Sequence, residues 1–184
     1  VSRHLTLIII AVLLASFIVG LFLTTWVADF RLARIPFLVC CLSIHLMLIP
    51  VIGAGRWSIL IGRPADMQSV LAWQLGFLMF ALCLLGALSA ARSRDAVGTT
   101  ASGMLFFVPL VNLWLLLRRT GQPMTLPGSG LQRHISGTGG MRFVVMLLVM
   151  NLAASIWLEK RTVQWTARAA DVKAEMTMAA AAAA

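Results

Sequence analysis

A chain of 184 residues in which 60% are apolar and only 11% are charged is too poor in charge for a soluble domain, which carries about a quarter charged residues. Its 15 lysines and arginines outnumber 6 acidic residues and lie between apolar runs, where they meet lipid headgroups. These features exclude nucleic acid as the partner and predict an all-α, multi-span transmembrane helix bundle in contact with membrane lipids.

The first three apolar runs predict membrane spans at about 5–28, 35–54 and 69–91. The first run is too long and uninterrupted for the core of a signal peptide, so we expect it to be retained. Between the second and third runs, Gly53–Gln68 mixes apolar and basic residues. This composition is typical of a loop at the membrane interface.

A fourth apolar run, at about 97–117, contains Pro109 and Asn112. Proline bends a helix and frees a backbone carbonyl, and a nearby amide can pair with the freed groups or bind a polar ligand. We favour a role in helix packing for these two residues. The alternative is the kinked substrate site of a small transporter or lipid-handling protein.

The fifth run, at about 143–158, provides only about 24 Å of helix and can span if basic residues at its ends snorkel towards the interface. It is followed by a polar tail, 159–178, which is expected to form a surface helix. The six alanines at 179–184 are typical of placeholders for residues of unassigned side-chain identity, and no inference rests on them.

The distribution of basic residues leaves the number of spans at four or five. With five spans, seven basic residues lie on one side of the membrane and eight on the other, so their distribution does not predict which side is cytoplasmic. If 143–158 does not cross, the distribution becomes 11 against 4 and favours cytoplasmic termini. Charge asymmetry favours four spans and hydrophobicity favours five. We predict five spans, with four as the alternative, because 16 apolar residues are hard to bury elsewhere in so small a protein. The expected location is the bacterial inner membrane.

Small and polar residues within the runs predict contacts between helices. Gly86 and Ala90 have the four-residue spacing that lets two helix backbones approach closely, and Ala11 and Ala15 repeat it. Asn151 and Ser155 share a helix face and are expected to hydrogen-bond to a neighbouring helix. Four arginines flanking the later runs are predicted to contact lipid headgroups: Arg118, Arg119, Arg133 and Arg142.

His45 is the ionisable residue most deeply placed in an apolar run. We favour a neutral histidine bonded to a neighbouring helix, with a pigment or quinone contact and a proton or substrate role as alternatives. Cys41, four residues earlier, leaves room for a macrocycle; over these two residues the spacing is similar to the small-xxx-His arrangement of bacterial light-harvesting helices. Neither His4 nor His134 matches His45 in depth, which argues against a haem held by two histidines.

The runs contain no acidic residue in their interiors and no metalloprotease or nucleophile motif, so we expect no enzyme. The three cysteines are expected to be small packing residues. The favoured function is a non-catalytic accessory or assembly subunit of a larger bacterial inner-membrane complex, photosynthetic or respiratory, with other integral membrane subunits as partners. The alternatives are a stand-alone transporter or lipid-handling protein, and a subunit that binds a pigment or cofactor through a single histidine.

Overall fold

The computed structural model describes residues 3–26, 31–60, 64–100, 102–104, 114–118 and 138–182, and these contain no strand. Four long helices form the described part of the chain: α1 (Arg3–Trp26), α2 (Arg34–Leu60), α3 (Pro64–Val97) and α4 (Thr138–Ala182). Each contains a stretch that is long and apolar enough to cross a membrane. The all-helical class is therefore confirmed, and the chain is compatible with an integral membrane protein.

The four helices pack as a row in the order α1, α3, α2, α4. Among the described residues, α3 contacts both α1 and α2, while α4 contacts α2 alone. The row differs from the order along the chain, so only α2 and α3 are neighbours in both sequence and space.

The contacts along α2 fix the directions of its two neighbours. Phe37, near the start of α2, packs against Ala91 near the end of α3, so these helices are antiparallel. In contrast, Val39 packs against Val144 near the start of α4. Further along, Arg56 donates to the Thr162 hydroxyl at 3.3 Å, so α2 and α4 are parallel.

The segment Gly53–Gln68 differs from the predicted loop, because α2 continues to Leu60 and α3 begins at Pro64. Gly53 and Gly55 within this segment are helical packing positions. A Cβ at Gly55 would overlap the side-chain amide of Gln74, which itself donates to Val51 O at 2.6 Å. Glycine costs a helix about 1 kcal/mol relative to alanine, and this close contact between helices offsets that cost.

The fifth run and the polar tail lie in the single helix α4 of 45 residues. At 1.5 Å per residue α4 is about 68 Å long, more than twice the thickness of a hydrocarbon core. The tail is therefore helical and continues the run 143–158 without a break, and most of its described side chains are exposed.

Both ends of the predicted fourth span, 97–117, lie together at one end of the bundle. The Nε of Arg92, close to the end of α3, donates to Leu115 O at 3.0 Å, and Leu116 packs against the cluster formed by Leu32, Phe37 and Ala91. If 97–117 crossed the membrane once, its two ends would lie about 30 Å apart, on opposite sides of the hydrocarbon core. The short apolar run 143–158, by contrast, extends along α2.

Candidate functional site

The interface between α2 and α4 has an apolar core and two polar side-chain contacts among the described residues, Arg56 with Thr162 and His45 with Asn151. Val39, Val144 and Leu147 are buried in its core. Along both helices from this core, the ring of His45 meets the side-chain amide of Asn151. Asn151 is only 6% exposed, whereas His45 lies at the edge of the interface and is exposed.

The hydrogen bonds of Asn151 fix the orientation of its amide. Its Nδ2 donates to Leu42 O at 3.1 Å and to Leu147 O at 2.7 Å. Both amide protons are therefore used in hydrogen bonds to backbone carbonyls. Its Oδ1 therefore faces His45 as an acceptor, at 2.6 Å from Nδ1.

This orientation selects the tautomer of His45. Since an amide oxygen can only accept, Nδ1 of the neutral ring must carry the proton and donate it to Asn151. Nε2 is then the unprotonated nitrogen. Within the described part of the chain no hydrogen bond reaches Nε2, so its lone pair is available at the surface of the α2–α4 pair.

A second polar cluster lies where α3 ends. The side chain of Arg92 is completely buried and pairs with Asp95, one helical turn further on. Its guanidinium also donates to the backbone carbonyls of Leu115 and Arg118. Arg92 thus ties the end of α3 to the helical turn at 114–117 by satisfying carbonyls that the turn leaves without intrahelical partners.

The sequence assigned Arg92 to the basic residues that meet headgroups, and the structure corrects this. Its partner Asp95 at the i+3 position was the available signal, because opposite charges three apart on a helix lie side by side. What the spacing does not reveal is that both side chains are buried, which requires the turn at 114–117 to cover them.

The helices α1 and α3 approach each other at two glycines. A Cβ at Gly86 would overlap the backbone carbonyl of Phe17, and one at Gly20 would overlap the carbonyl of Cys83. The predicted pair Gly86 and Ala90 thus faces α1, with Ala90 completely buried. Sequence reasoning missed Gly20 and named instead two alanines that are exposed, Ala11 and Ala15.

The other predicted residues do not gather into one site. Ser155 and Arg142 lie on the exposed surface of α4. Arg118 is also exposed, with its guanidinium 4.7 Å from the centre of the Trp114 ring. Four predicted residues lie outside the described residues, so the interpretations placed on them rest on sequence alone: Pro109, Asn112, Arg119 and Arg133.

Comparison with known proteins gives no match to a family model, to a curated protein or to a solved structure. Three features of the described residues bear on function: the imidazole of His45 with its fixed tautomer, the buried Arg92–Asp95 ion pair, and a row of helices with a long extension.

Proposed function

We propose that the chain is a non-catalytic accessory or assembly subunit of a larger bacterial inner-membrane complex, photosynthetic or respiratory. The observation that carries the proposal is the length of α4. Arg56 near the end of α2 contacts Thr162, yet α4 continues well beyond it, past Met178. With α2 ending at Leu60, α4 extends about 18 Å further when only the residues up to Met178 are counted.

The part of α4 from residue 163 to residue 178, here called the α4 extension, has the residue pattern of a helix that packs against another protein. Trp165, Ala169 and Val172 follow one another at spacings of four and three residues and therefore lie on one face. Charged residues occupy other positions around the same helix, among them Arg168 and Lys173.

An isolated helix of this length is marginally stable in water, and most helical stability in proteins comes from packing of an apolar face. Val172 is 45% exposed, and within the described residues α4 packs only on α2. A partner that covers this face stabilises the extension and holds the chain in a complex.

The membrane part of α4 supports the same interpretation. On the side away from α2 it exposes large apolar side chains, including Val149 at 62% and Leu152 at 63%. This surface suits lipid or the transmembrane helices of neighbouring subunits. Since no other described helix covers this flank, the chain can join an assembly without rearranging the packing of its described helices.

The test is mild-detergent purification of the tagged full chain from its native membranes, followed by quantification of the integral membrane proteins that co-purify. We compare Ala169→Glu, on the apolar face of the extension, with Ala170→Glu, the adjacent and exposed position. Both add the same charge to the same helix.

We expect the wild type and Ala170→Glu to retain partners at a fixed stoichiometry and Ala169→Glu to lose them. Equal retention by both variants would contradict the role of the extension. A wild-type chain that purifies alone would overturn the proposal and favour the transporter or lipid-handling alternative.

A further inference from the structure

We propose that Nε2 of His45 is the axial ligand of the metal ion in a planar metallated tetrapyrrole. The proposal concerns a binding site on this chain and does not depend on which complex the chain joins. It follows from the tautomer of His45, from the lack of further metal ligands beside it and from the shape of the surrounding surface.

The hydrogen bonding of His45 is that of a metal-binding imidazole. Metal-bound histidines donate their second ring N–H to a carbonyl or carboxylate, and this bond fixes the orientation of the ring and raises its basicity. Here Asn151 accepts that proton through Oδ1, and its own Nδ2 is held by two backbone carbonyls. The lone pair on Nε2 is therefore held in one direction before any ligand binds.

Among the described residues, His45 has too few neighbouring ligands to hold a bare metal ion. A protein-held zinc site, for example, takes at least three side-chain ligands. The described residues contain no group of three histidine, cysteine or acidic side chains that could hold a metal. A metal that binds His45 must bring its own equatorial ligands, and a tetrapyrrole supplies four nitrogens in one plane. The imidazole then occupies the fifth position.

The surface beside His45 is apolar and partly exposed. His45, Leu48 and Ile52 follow one another at spacings of three and four residues along one side of α2. The ring of His45 is exposed and Ile52 is 39% exposed further along, whereas Cys41, one turn before the ring, packs against the cluster formed by Leu32, Phe37 and Ala91. A flat ligand on Nε2 would therefore extend from His45 towards Ile52, between α3 and α4, which do not contact each other among the described residues.

The probe is zinc protoporphyrin IX, whose metal accepts one axial ligand, titrated into the purified full chain in detergent. Metal-free protoporphyrin IX is the matched control, because it has the same macrocycle and partitions into micelles but cannot bind an imidazole. Each titration is followed by the position of the Soret band and by the stoichiometry at saturation.

For the wild type we expect one zinc porphyrin per chain with a red-shifted Soret band, and no saturable binding of the metal-free porphyrin. His45→Phe should abolish the shift, whereas His134→Ala should retain it. Asn151→Leu leaves Nε2 in place but releases the ring, so we expect about 10–100-fold weaker binding with the same band position at saturation. Far-UV circular dichroism establishes that each variant keeps its helix content.

A wild-type chain that binds zinc and metal-free porphyrin equally would overturn the proposal, and this comparison needs no variant to fold. An unchanged Soret shift in His45→Phe would overturn it as well, because another group would then be the ligand.

Discussion

Replacement of Arg92 by methionine tests the claim that its guanidinium holds the end of α3 against the turn at 114–117. The substitution keeps the length of the side chain and removes three hydrogen bonds, to Asp95, Leu115 O and Arg118 O. Hydrogen bonds to a charged group are worth about 1.5–3 kcal/mol each, which gives a gross loss of about 4.5–9 kcal/mol.

The net effect on the free energy of unfolding is smaller than this gross loss. Arg118 is exposed, so water can replace the guanidinium at its carbonyl. Asp95 is only 6% exposed and would remain as a buried carboxylate without its partner. Breaking a buried ion pair in this way costs about 3–5 kcal/mol, and we expect Arg92→Met to lose that amount.

The assay is unfolding of the purified chain in mixed micelles with increasing sodium dodecyl sulfate, followed by tryptophan fluorescence. Arg168→Met on the exposed surface of α4 is the control and should stay within about 0.5 kcal/mol of the wild type. The double variant Arg92→Met/Asp95→Leu also removes the buried, unpaired carboxylate. It should recover about half of the lost free energy of unfolding. A loss below about 1 kcal/mol in Arg92→Met would refute the reasoning, because a buried arginine cannot then be stabilising the turn.

Two further substitutions test the packing and the direction of the helices. Gly86→Ala should destabilise the chain by about 1–3 kcal/mol in the same assay, because its Cβ would overlap the carbonyl of Phe17. Gly76→Ala, where a Cβ meets nothing within 4 Å, should be neutral or stabilising, and an equal effect at both glycines would contradict the close contact. The directions of α3 and α4 relative to α2 place Val97 and Lys173 at opposite ends of the bundle. Single cysteines introduced at these two positions, in a chain without its native cysteines, should therefore react with a membrane-impermeant maleimide from opposite sides of the membrane. Labelling of both from the same side would contradict the crossing of α4.

The helical class and the positions of the main apolar runs follow from composition, because a backbone in lipid must satisfy its own hydrogen bonds. The close approach at Gly86 also follows from sequence, since the glycine is part of a small-residue spacing on its own helix. These features depend on residues that are near one another along the chain.

The pairing of the helices could not be predicted in the same way. In a membrane protein, leucine covers both lipid-facing and protein-facing surfaces, so apolar periodicity does not identify the neighbour of a helix. Asn151 indicated that a partner existed, but the choice of α2 and of Leu42 depends on residues 109 positions apart. The burial of Arg92 could not be predicted for the same reason, because it depends on a turn that follows it by more than twenty residues.

The parallel pairing of α2 and α4 has a consequence for the order in which the chain is completed during synthesis. His45 and Asn151 are separated by 106 residues, and so are Arg56 and Thr162. When α2 enters the membrane, the helix that covers His45 has not yet been translated, whereas α3 follows it directly and can pair with it at once. The α2–α4 contact is therefore the last helix pair to close, and until then the imidazole is accessible from the side that α4 will occupy.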